Sequence, residues 1–149
     1  MKFLLTAMLG LLATGAGAQG SGGLYIAGGT FDFARTIERA IAQSPSGSRF
    51  FVLATGDAVR ALSLLAADEA VEARNLGAQR GAVYLVCQRD IEREVIRTND
   101  LASGVIAVRG WPAAGSDELP EGTLYYRNED PANLPKSTEL LRRLRATCS

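Results

Sequence analysis

The chain alternates short unbroken apolar runs with stretches in which apolar residues recur three or four positions apart. Leu24 to Ala27 (LYIA) predicts a first strand. Gly28-Gly29 break it, and Thr30 is placed to cap a helix whose first turn carries Asp32. Phe33, Ile37 and Ile41 then form one apolar stripe. After a loop at Ser44 to Ser48, Phe50 to Ala54 (FFVLA) predicts a second strand, ended by Thr55-Gly56-Asp57. A helical stretch follows from about Ala58 to Gln79, with a break near Ala67-Asp68 where Asp68 can cap a second segment; Gly81 marks its end. Ala82 to Val86 predicts a third strand, Asp90 to Arg97 a short helix, and Gly104 to Val108 a fourth strand. Beyond a loop-like Gly110 to Gly122, Thr123 to Arg127 is expected to form a fifth strand. A final helix from about Lys136 to Ala146 turns Leu140, Leu141 and Leu144 inward.

The strands are continuous apolar runs, which suits strands covered on both faces, as in a parallel sheet. Their alternation with helices at βαβ spacing predicts an α/β protein. The expectation is a three-layer α/β/α sandwich around a mostly parallel sheet of about five strands. In such sheets ligands bind outside the carboxyl ends of the strands, near the switch in strand order. Four such ends are available: Gly28-Gly29-Thr30, Thr55-Gly56-Asp57, Cys87-Gln88-Arg89 and Arg109-Gly110-Trp111, with Trp111 a packing residue or a pocket wall. Under a 2-1-3-4-5 order the first and third strands are neighbours. Cys87 would then face the Gly28-Gly29 turn, whose N–H groups at a helix start form a generic anion site.

The N-terminus has its own pattern. Lys2 precedes an apolar run from Phe3 to Ala13, and Ala16-Gly17-Ala18 supplies small residues at the positions read by a signal peptidase. A signal peptide over residues 1–18 is expected, too short an apolar run to span a bilayer comfortably. The single domain, residues 19–149, would then be periplasmic or secreted, with no membrane span after cleavage. About 131 residues suffice for one real core. The whole chain carries 16 basic and 16 acidic residues; loss of Lys2 leaves a net of −1. With scattered arginines and no basic excess, nucleic acid is not an expected partner. The run Arg142-Arg143-Leu144-Arg145 falls in the last turns of the final helix, where cations suit the helix dipole.

Composition then removes much chemistry. With no histidine there is no Ser-His-Asp triad, no Cys-His pair and no imidazole zinc site. Two cysteines without a CxxC make neither a Cys-rich metal site nor a thioredoxin-type dithiol. No Walker A loop is present, and AGGTFD does not satisfy GxGxxG. No cofactor or metal is expected. The carboxylate pairs Asp68-Glu69 and Glu92/Glu94 fit solvated helix faces.

Cys87 is the main chemical candidate. It precedes a helix, and Arg89 lies two residues on; both features lower a thiol pKa and favour the nucleophilic thiolate. The alternatives are an inert buried cysteine or a disulfide. FVLATGDAVRAL, then GAVYLVCQRDI and later NDLASGVIAVRG, resemble the DsrE/DsrF-like family over roughly Leu24 to Gly110. In that family a Thr-Gly-Asp-type turn follows the second strand and a cysteine ends the third. The resemblance implies a flavodoxin-like sandwich that oligomerises, here as a homo-oligomer. It also implies, at Cys87, a cysteine that carries persulfide sulfur between donor and acceptor proteins. Arg89, Gly56 and the Gly28, Gly29, Thr30 turn would steady the anionic sulfur or ligand.

Cys148 is the other cysteine, and two cysteines in an exported chain are a candidate disulfide. It could also act as a resolving thiol for Cys87. Two functions therefore stand as expectations. One is an exported DsrE-like sulfur carrier or sulfurtransferase using Cys87. The other is a non-catalytic periplasmic binding or interaction module whose cysteines are structural.

Overall fold

The computed structural model describes residues 23–108, 135 and 137–148. The expected signal peptide, the expected fifth strand at Thr123 to Arg127 and Trp111 lie outside the described residues. Within them the chain is α/β, with four strands in one all-parallel sheet: β1 (Leu24–Ala27), β2 (Phe50–Ala54), β3 (Ala82–Cys87) and β4 (Ile106–Val108). The described sheet thus has four strands rather than the five expected. Its order is β1-β2-β3-β4, with Ala27 beside Ala54, Ala54 beside Val86 and Cys87 beside Val108. The 2-1-3-4-5 order is therefore not the one adopted. β2 separates β1 from β3.

Sequential order has a consequence for layering. Right-handed crossovers between successive neighbouring strands bring their connections to the same face of the sheet. That face carries α1 (Phe33–Gln43), the 3-10 helix Gly56–Leu62 and α2 (Asp68–Gln79). Phe33, Ile37, Val59 and Leu62 pack there on Ala27, Phe50, Val52, Ala54, Tyr84 and Val86. The alternate residues of the same strands point the other way. Leu24, Phe51, Leu53, Leu85, Cys87, Ile106 and Val108 meet Leu140 and Leu144 of α4 (Thr138–Cys148). Both faces are apolar because both are covered, which is why the strands read as unbroken apolar runs.

The helices depart from expectation where the chain has a stronger local option. The stretch expected to be helical from Ala58 starts as a 3-10 helix at Gly56 and ends at Leu62. There the backbone leaves the helix to pair with the segment before β4: Leu64 N–H donates to Asp100 C=O at 2.7 Å, and Ala102 N–H to Leu62 C=O at 2.8 Å. Arg74 reinforces the break by donating to the carbonyls of Ala61 (2.8 Å) and Ser63 (3.0 Å). α2 then begins at Asp68, with Ala67 rather than Asp68 at the N-cap position.

The helix expected over Asp90 to Arg97 is shorter: α3 covers Gln88–Glu92. Val95 N–H returns to Asp90 C=O at 2.9 Å and Glu94 N–H to Ile91 C=O at 3.0 Å, the two bonds of a Schellman closure. Glu94 occupies the left-handed position of that closure, with φ 58°, where glycine is usual.

Tyr84 joins sheet to helix. Its hydroxyl donates to Arg74 C=O at 2.5 Å, and Gly77 is required beside it, since any Cβ there would collide with that hydroxyl. Burial pushes the Tyr84 hydroxyl far above the ordinary tyrosine range, with the nearby Arg74 charge opposing only part of the shift. The unfolded chain loses this proton near pH 10 while the folded protein keeps it. Stability is therefore fully present below pH 10 and falls above it, by up to about 1.4 kcal/mol per pH unit. Urea midpoints measured from pH 9 upward should fall more steeply for the wild type than for Tyr84→Phe, which has no proton to lose.

Candidate functional site

The carboxyl ends of β1 and β2 are locked side by side. Thr55 donates to Ala27 C=O through its N–H (2.9 Å) and its hydroxyl (3.3 Å). Gly28, at φ 144°, passes so close that a Cβ would overlap the Thr55 hydroxyl and lie 2.8 Å from its carbonyl oxygen. Gly28 is thus explained by packing. Its N–H donates to Phe31 C=O at 2.8 Å, and Phe31 N–H donates back at 3.1 Å, closing a tight turn with Gly29 and Thr30 at its corners.

That turn is less open to an anion than expected. The Gly28 N–H is committed within the turn. Thr30 does not cap α1; Asp32 does, accepting from Arg35 N–H at 2.8 Å and pairing with the Arg35 guanidinium at 3.4 Å. A carboxylate already stands at the helix start, where it accepts from one of the free donors and faces the positive end of the helix. Gly56, at φ 55°, opens the 3-10 helix and has open space where a Cβ would sit.

Cys87 lies at the carboxyl end of β3, fully buried, and its side chain belongs to the α4 face of the sheet. Its sulfur is bonded to Cys148 of α4, the two Cα atoms 5.2 Å apart. No free cysteine occurs among the described residues. Because β2 intervenes, Cys87 and the Gly28-Gly29 turn are two strand spacings apart, roughly 10 Å. The structure therefore joins Cys87 with Cys148 and sets it apart from Gly28, Gly29 and Thr30, whereas Gly56 follows β2, the strand beside β3. Arg89 turns toward Asp90, with its Nε 3.9 Å from Asp90 Oδ1.

Asp90, expected only as the first residue of a short helix, is buried. It is 5 % exposed, and its Oδ2 has no hydrogen-bond partner. One polar residue inside a short helical pattern gives no signal of burial. Asp68, Glu69, Glu92 and Glu94 are all exposed, in keeping with solvated faces.

A second region emerged only from the fold. A cleft of about 530 Å³ opens between the end of the 3-10 helix, the start of α2 and residues 94–100. Ala61, Ala66, Ala67, Ala70 and Ile96 line it, and Arg60, Arg97, Glu94 and Asp100 bring charges of both signs to it. Leu64, Leu65 and Val95 are exposed beside or along it, Leu65 at 89 %. The sequence carried no local sign of it, since Leu64-Leu65 fall within the stretch expected to be helical.

Among the described residues no helix is long and apolar enough to cross a membrane. Comparison with protein-family models, with curated proteins and with solved structures finds no match.

Proposed function

We propose that this chain is an exported, non-catalytic binding module in which Cys87 and Cys148 form a structural crosslink. One observation carries this reading: Cys87 is fully buried and its sulfur is already bonded to Cys148. A buried disulfide holding a helix against a sheet suits an oxidising compartment. The export reading itself rests on the pattern of residues 1–18. Helices on both faces of a parallel sheet support a flavodoxin-like layering, and the Thr55-Gly56-Asp57 turn with Cys87 ending β3 supports kinship with the DsrE/DsrF-like family.

Sulfur handling is the second reading, and one observation favours it. Cys148 keeps partial exposure where Cys87 has none. Cys148 is the more exposed partner, so an external thiolate that opened the bond there would form a mixed disulfide at Cys148 and release Cys87 as the thiolate. Cys87 could then accept the outer sulfur of a donor protein's persulfide.

Intact mass separates the two. The module reading expects the native protein to take up no sulfur from a persulfide donor, and no alkylating agent until it is reduced. It also expects a free Cys87 to take up no sulfur, so neither the reduced protein nor Cys148→Ser should gain a sulfur atom at Cys87, reduction opening the protein to the alkylating agent only. A sulfur atom gained by Cys148→Ser and lost again in the Cys87→Ser, Cys148→Ser double variant would overturn it in favour of the carrier.

A further inference from the structure

We infer that the alanine-floored cleft is a binding site for short peptides with free termini and apolar side chains. This deepens the binding-module reading and rests on it. The floor is small and apolar, formed by Ala61, Ala66, Ala67 and Ala70 with Ile96. Small apolar residues of this kind accept aliphatic side chains, with Ser63 the neutral polar residue beside them. The volume of about 530 Å³ falls within the usual range for small-molecule sites and exceeds what a single amino acid would fill.

The charges set the rest of the ligand. Arg60 and Arg97 are exposed and reach the cleft from the end of the 3-10 helix and from the segment after α3. Glu94 and Asp100 reach it from that same segment. Among the described residues none of these four side chains makes an ion pair or hydrogen bond, although opposite signs share one cleft. A zwitterion satisfies both signs at once: its carboxylate accepts from the guanidinium groups, and its ammonium donates to the carboxylates. A purely anionic or purely cationic ligand would leave one pair facing like charge.

Glu94 supplies an independent argument. It holds the left-handed position of the Schellman closure, with φ 58°, where glycine would fold with less strain. The strained position carries a carboxylate that lines the cleft. The walls around it are fixed by the backbone bonds from Leu64 to Asp100 and from Ala102 to Leu62, so the site is largely formed before a ligand arrives.

The test is calorimetric titration of the oxidised full chain with the tripeptide Leu-Ala-Leu, and with the same peptide acetylated and amidated at its ends. The free peptide should bind, and blocking its termini should weaken binding at least about tenfold, the value of one charge-assisted hydrogen bond. Arg60→Ala combined with Arg97→Ala should weaken it by at least about tenfold as well. Glu94→Gly removes the carboxylate while relieving the backbone, so it should bind less tightly yet melt no lower than the wild type. Arg142→Ala, on the exposed side of α4, should change nothing.

Equal affinity for free and blocked peptides would overturn the proposal. So would the absence of heat at about 1 mM peptide. Heat of dilution from the protein alone, abolished by changes in the cleft, would assign the cleft to a second copy of this chain and overturn it too. Such failures leave the module reading intact, since that reading stands or falls on sulfur uptake by Cys148→Ser.

Discussion

Cys148→Ser is expected to lower the folding free energy by about 4 kcal/mol, the chain-entropy value for opening a loop of this size. The crosslink spans 61 residues and ties the carboxyl end of β3 to α4. Without it, among the described residues α4 meets that face of the sheet through buried Leu140 and Leu144. Cys87→Ser should cost more, because it also leaves a hydroxyl in an apolar, fully buried position. An unpartnered hydroxyl there adds about 1–3 kcal/mol. Urea unfolding of the unreduced wild type, the reduced wild type and both variants checks this. The expected order of midpoints is unreduced wild type, then Cys148→Ser level with reduced wild type, then Cys87→Ser. A Cys148→Ser midpoint equal to that of the unreduced protein would contradict the structural role of the bond.

Leu144→Ala should remove about 2–5 kcal/mol, since Leu144 is fully buried between α4 and the sheet and its loss leaves a cavity. The more informative result is its coupling to the crosslink. Once Cys148→Ser has loosened α4, the helix can shift to close part of that cavity, so the two losses should add to less than their sum. Leu62 is buried to the same degree on the opposite face, against the other core cluster. Leu62→Ala should add to Cys148→Ser without such a shortfall. A double-mutant cycle in urea reads both, and equal coupling at Leu62 and Leu144 would mean that the two faces do not behave as separate cores.

The elements of this fold were legible where composition alone decides them. Leu24 to Ala27 and Phe50 to Ala54 are bounded by turn residues and too short and apolar to be anything but strands, and both take the expected limits. β3 runs one residue further, to Cys87, and β4 begins at Ile106 rather than Gly104, because Gly104 sits in a turn at φ 82°. Strand order was not legible, because an apolar run states that a strand exists and not which strand lies beside it. The same limit undid the pairing of Cys87 with Gly28-Gly29. Asp32 displaced Thr30 as the cap of α1 because the intervening residues close their own turn first. The cleft was illegible for a different reason: its walls meet only after Leu62 to Leu64 pair with Asp100 to Ala102, a long-range contact with no local pattern. The crosslink could be posed from two cysteines but not decided, since it needs the final helix to return to β3.

The strand order also bears on how the chain reaches this structure. Each strand pairs with the one that immediately precedes it, so every step of sheet growth closes a connection of moderate length. The loop-closure penalty is then met in small instalments, and the helical face can consolidate as the sheet widens. α4 differs, because its docking must bring together segments far apart in the chain. The crosslink spans 61 residues of that separation, so a contact with one of the larger loop-closure penalties in the fold is the one held by a covalent bond.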